Sequence, residues 1–239
     1  MVAINAAAPR PALWGVRGWP WILLLLGVAV LGFWKPYFSR LDAAQALTHV
    51  HVAAMLAWAA MLVAQPLLIR HRRLPWHRRV GRASYVVVPL LVLSAVALAR
   101  LRIGQAPPQM QAMQQQILYI GLATALLFVV LWGLAIGHRR EPALHARYMA
   151  GTALAMIDPS LVRVMIFWIP SVPPALYQWI TFGVVYAILL ALIVLDRKSA
   201  RGRSALFVVL GLFALLHVSN MLVPRTQSWQ SFAQWFAAT

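Results

Sequence analysis

The chain has 239 residues, of which 62% are hydrophobic and 10% charged, with a mean hydropathy of +0.76 and a net charge of +17. A water-soluble domain carries about 25% charged residues, so the composition belongs to an integral membrane protein. The sequence contains no cysteine, which excludes disulfides, thiolate metal sites and iron–sulfur clusters.

A helix needs about 20 apolar residues to cross roughly 30 Å of hydrocarbon. Seven runs approach that length: 20–34, 46–69, 83–99, 116–137, 147–169, 175–195 and 204–222. They predict an all-α, polytopic seven-helix bundle over residues 20–222, with an N-terminal segment 1–19 and a short tail 223–239. Arg10 and Arg17 precede the first run as in a signal peptide, but no small-residue cleavage site follows, so the run reads as a retained first helix.

The cations set an orientation. Fifteen lie on one side: Arg10, Arg17, Arg70, Arg72, Arg73, Arg78, Arg79, Arg82, Arg139, Arg140, Arg147, Arg197, Lys198, Arg201 and Arg203. Five lie on the other, Lys35, Arg40, Arg100, Arg102 and Arg225, and Arg163 falls inside a span. The basic side faces the cytoplasm, which puts the N-terminus inside and the C-terminus outside. Pro107-Pro108 and the stretch from Pro170 to Pro174 fall in the outer turns. Trp229 and Trp235 in the tail suit a segment lying flat in the outer interface. The charge excess is directed at anionic lipid headgroups, and no nucleic-acid module is present.

Two basic turns repeat one pattern. His71-Arg72-Arg73-Leu74-Pro75-Trp76-His77-Arg78-Arg79 and His138-Arg139-Arg140-Glu141-Pro142-Ala143-Leu144-His145-Ala146-Arg147 both read H-R-R-x-P, a spacer, then H-x-R. Each joins an inward-running helix to an outward-running one, as parallel repeats about the membrane normal would. One meaning is an anion or lipid-headgroup site built from His71, Arg72, Arg73, His77, Arg78, His138, Arg139, Arg140, His145 and Arg147. The other is that inward-facing loops are Arg-rich for topological reasons alone.

Ionisable groups inside spans are costly and mark functional sites. They are His49 and His51 in the second run, Asp158 and Arg163 in the fifth and His217 in the seventh. His49 and His51 lie about 200° apart on a helix, so one of them faces the bundle squarely. His51 continues through Met55, Trp58, Leu62 and Gln65 and is expected to be the inward one. Pro159 follows Asp158 inside a span, where membrane proteins place an irregular backbone beside a site. Asp158 and Arg163 are expected to pair only if that kink brings them together.

Two imidazoles from different helices with an arginine nearby provide what a b-type haem requires: His51 and His217 as axial ligands, Arg163 for a propionate and Asp158 as a proton-coupled neighbour. The same groups suit a quinone carbonyl. Proton-coupled or anion transport through Asp158 and Arg163 is an alternative, and so is a non-catalytic scaffold or assembly role in a respiratory complex. The sequence has no hydrolase motif and no Walker A loop, and the last helix has no lysine for a retinal Schiff base.

The elements His77-Arg78-Arg79-Val80-Gly81-Arg82 and His145-Ala146-Arg147-Tyr148-Met149 resemble those of uncharacterised bacterial multi-helix membrane proteins, in which an H-R-x-x-G and an H-x-R-x-M element flank helices at cytoplasmic turns. The resemblance covers about Ala46 to Val164. It implies a bacterial inner-membrane location and, for some members, a link to respiratory oxidase assembly.

Overall fold

The computed structural model describes residues 18–238; the N-terminal cations Arg10 and Arg17 lie outside this range. The elements are helical, with no strand among the described residues. In chain order they are α1 (Trp19–Trp34), α2 (Ala46–Arg70), α3 (Leu74–Gly104), α4 (Gln111–Gly137), α5 (Pro142–Leu154), α6 (Ile157–Trp168), α7 (Tyr177–Leu195), α8 (Ala200–Leu222) and α9 (Gln227–Ala238). Six helical segments are long and apolar enough to cross a membrane, α5 and α6 together making one of them. The apolar α1 is shorter, 16 residues or about 24 Å at 1.5 Å per residue.

The basic turns are tighter than the sequence suggests. Between α2 and α3 the turn is 71–73, and His77 to Arg82 are already helical. The cause is the proline of each repeat. Pro75 and Pro142 stand in the first turns of α3 and α5, where a missing N–H costs nothing and φ is preset. The α2 turn closes as a Schellman motif, with Arg73 N–H donating to the Leu68 carbonyl (2.8 Å). Arg72 takes its left-handed position at φ 58°, a place usually held by glycine.

The fifth run is broken, and Pro159 explains where. Its ring excludes the carbonyl of Ala155 and its missing N–H cannot close that turn. The helix accordingly stops at Leu154 and restarts at Ile157. Ser160 Oγ donates to the Met156 carbonyl (2.7 Å), a second bond to the N-cap residue that restarts the helix.

Packing follows from the break. The wall runs α1, α2, α3, α4, α8, α7, α6 and back to α1. At the basic end α5 lies inside that wall against α4 and α8, and its Gly151 sits close to the Leu131 and Val209 side chains. Leu131, Leu189 and Val209 form the centre of the main core with no exposed surface. Past the break α6 moves into the wall between α1 and α7. There Gly32 meets the Ser160 carbonyl so closely that a Cβ would overlap it. A second core joins α2 and α3 around Trp58, whose ring meets Phe128 edge-on at 5.1 Å.

The tail forms the helix α9. Ala233 is fully buried against Ile103 and Leu118, and Trp229 Nε1 donates to the Gln115 carbonyl (3.1 Å). It is therefore docked on the ends of α3 and α4, with Trp235 on its exposed side.

Candidate functional site

The polar residues of the spans gather in the half of the bundle remote from the basic turns. His51 stands five residues into α2, about 7.5 Å from its start. Its Nδ1 is 3.0 Å from Ser94 Oγ on α3, and Ser94 donates its own hydrogen to the Leu91 carbonyl (3.0 Å). The serine oxygen thus accepts from Nδ1–H, which leaves His51 Nε2 as the nitrogen carrying a lone pair. His49 turns elsewhere. It shares a 2.8 Å hydrogen bond with the Tyr37 hydroxyl, beyond the end of the helix pair.

Arg163 donates to the Pro159 carbonyl (2.7 Å), and its guanidinium lies 4.4 Å over the Phe33 ring of α1. It is within electrostatic range of Arg102, near the end of α3, and of Asp158. His51 is within range of both Arg102 and Arg163. Asp158 accepts from Thr181 Oγ1 of α7 at 2.6 Å. Asp158 and Arg163 form no ion pair, because the break precedes both and they stay five apart on one regular helix. Each finds its partner on a different neighbour, α7 for the acid and α1 for the base.

His217 is separate. Its ring stacks on Phe182 (3.5 Å, 15°), with Tyr186 edge-on at 5.0 Å and Phe213 at 5.9 Å. It is buried, and its Nδ1 has no hydrogen-bond partner. One turn on, Asn220 accepts from Gln116 of α4 through both its side-chain and backbone oxygens (2.8 and 2.9 Å).

His51 is bonded toward α3, and His217 lies among the rings of α7. The groups within electrostatic reach of one another are His51, Arg102 and Arg163, from α2, α3 and α6, with Asp158 in reach of Arg163. The two guanidiniums, neither fully enclosed, can hold an oxygen-rich group that accepts hydrogen bonds and tolerates negative charge, and His51 Nε2 can accept a hydrogen bond.

At the basic end the residues of the repeat have different fates. His71, Arg72, Arg73, Arg78, Arg139 and Arg140 are exposed. His138 Nδ1 donates to the Leu134 carbonyl (2.8 Å) and His145 Nδ1 to the Ala135 carbonyl (2.7 Å). The His77 and His145 rings meet at 6.5 Å.

Arg147 leaves the set of headgroup ligands. It is 4% exposed and grips Asp196 with both edges of its guanidinium, Nε to Oδ2 at 2.9 Å and Nη2 to Oδ1 at 2.7 Å. Nη1 donates to the Ala143 carbonyl (3.0 Å). Gly202 makes the pair possible, since a Cβ there would collide with both side chains.

Ser94, Thr181 and Arg102 are absent from the sequence-based set. The signal for the first two was a hydroxyl within an apolar run; Arg102 was counted as a loop charge, although its helix runs on to Gly104. No protein-family model matches this chain, and neither a curated protein nor a solved structure matches it.

Proposed function

We propose that this chain is a seven-helix protein of a bacterial inner membrane, its N-terminus in the cytoplasm, that binds the headgroup of a quinone in the outer half of the bundle. The observation that carries this is the electrostatic proximity of His51, Arg102 and Arg163 from three helices, with Asp158 beside Arg163. A quinone presents two carbonyl oxygens on a ring that aromatic side chains accommodate, and a tail that remains in lipid. The guanidiniums donate to one oxygen and favour the negative charge it gains on reduction. Under this reading His51 Nε2, its tautomer fixed by Ser94, accepts a hydrogen bond from a hydroquinone hydroxyl.

The test is equilibrium binding of a short-chain quinone to the purified protein, read by tryptophan fluorescence, together with the quinone content of the purified sample. Arg163→Leu should weaken quinone binding by about 10- to 150-fold, the worth of a hydrogen bond to a charged group, and His51→Ala should weaken binding of the reduced hydroquinone, whose hydroxyl donates to Nε2. His49→Ala should bind as wild type does. Equal loss in His49→Ala, or no binding by the wild type, would overturn the assignment. A reduced-minus-oxidised spectrum with sharp bands lost in His51 and His217 variants would instead point to haem.

Transport is the second reading, favoured by one feature: the break places the first turn of α6, with Asp158 in it, within a span. Under that reading Asp158→Asn stops flux in proteoliposomes at unchanged expression. A scaffold or assembly factor of a respiratory complex would be indifferent to that change and to quinone alike.

A further inference from the structure

The repeated basic turns bring their second histidines together at a spot the quinone reading leaves unused. Gln65, on the last turns of α2, donates from Nε2 to the His77 carbonyl (3.3 Å). Its Oε1 is buried without a partner, and so is His77 Nδ1. The His145 ring lies 6.5 Å from that of His77, with its Nδ1 committed to Ala135, so Nε2 is the nitrogen it has left. Arg78 lies within electrostatic range of His77, and among the described residues only Arg147 and Arg201 reach a carboxylate.

Two unmet needs coincide here. The Arg78 guanidinium and the His77 nitrogen call for an anion. The Gln65 oxygen calls for a hydrogen-bond donor, because a buried acceptor left without one is costly. A metal ion is disfavoured beside an arginine. A phosphate that also carries a hydroxyl meets both needs: its oxygens accept from arginine and imidazole, and its hydroxyl donates to Gln65.

We propose that the junction of the two repeats, formed by Gln65, His77 and His145 beside Arg78, is a binding site for a hydroxyl-bearing phosphate group, either an anionic lipid headgroup or a free phosphate. The site stands at the end of the apolar spans, the level at which phospholipid phosphates lie.

The experiment uses the full chain in mild detergent. Melting temperature and native mass spectrometry are followed on adding phosphatidylglycerol, phosphatidylcholine or inorganic phosphate. Phosphatidylglycerol should remain bound and raise the melting temperature, and phosphatidylcholine, which has a phosphate but no donor, should not. Gln65→Leu separates binding from folding. It should raise the melting temperature of the lipid-free protein by removing the unmet oxygen, yet weaken phosphatidylglycerol binding about tenfold, as for one lost hydrogen bond. His77→Ala should weaken it as well. Equal stabilisation by inorganic phosphate would keep the site and assign it to the free anion. Equal binding of both lipids, or unchanged phosphatidylglycerol binding in Gln65→Leu and His77→Ala, would overturn it.

Discussion

Removing the carboxylate of Asp196 should cost this protein more than any other single charge change. The pair it forms with Arg147 is 4% and 5% exposed at the two side chains, and two charge-assisted hydrogen bonds of 2.7 and 2.9 Å run between them. Asp196→Ala leaves a guanidinium buried with only the Ala143 carbonyl as partner. Breaking such a buried pair from one side costs about 3–5 kcal/mol, or two to four powers of ten in the unfolding equilibrium. The assay is equilibrium unfolding in mixed micelles as the denaturing detergent fraction rises, for wild type, Asp196→Ala, Arg147→Met and the double variant. The double variant should recover most of the loss, because replacing both charges removes the desolvation cost along with the attraction. An Asp196→Ala protein within about 1 kcal/mol of wild type, the range of exposed pairs, would show that water reaches the pair and refute the reasoning.

Other outcomes rest on the same packing. Gly32→Leu should lower the yield of folded protein and its stability by about 1–3 kcal/mol, the usual cost of overpacking, measured by the same unfolding assay, since nothing at the Ser160 carbonyl can give way. Ser94→Ala should weaken hydroquinone binding by releasing the His51 ring, and should cost about 1–3 kcal/mol of stability because Nδ1–H loses its acceptor. Thr181→Val, nearly equal in shape, should cost about 1–3 kcal/mol by depriving Asp158 of its donor, detectable as a fall in melting temperature. Removing α9 beyond Thr226 should expose Ile103 and Leu118 and speed proteolysis at the α3–α4 turn.

The helical membrane character was plain in the sequence because a long apolar run nearly free of charge suits a bilayer and little else. The expected inward facing of His51 rested on the stripe it shares with Trp58 and Leu62, both of which are buried. Pro159 announced an irregularity, but the break lies three to four residues earlier, since a proline disturbs the turn before it. Arg147 was misread for a different reason. It stands among topological arginines, and what sets it apart is Asp196, 49 residues away and identifiable only once α5 lies beside the α7–α8 turn. His51 and His217 have suitable depths, but depth is a one-dimensional quantity. Which way each ring turns depended on Ser94 and on Phe182, supplied by helices the one-dimensional pattern could not pair.

The Phe33 ring over Arg163 has a bearing on how the protein is made. Phe33 belongs to α1, and Arg163 to a segment that leaves the ribosome 130 residues later. A guanidinium delivered into bare hydrocarbon is a poor membrane insertion substrate. With α1 already in place, Arg163 enters against an aromatic face, and Lys35 stands ready at the Phe167 carbonyl to hold the end of α6. The order of synthesis thus supplies the shield before the charge, so an α1 transplanted to the C-terminus would arrive too late to chaperone α6.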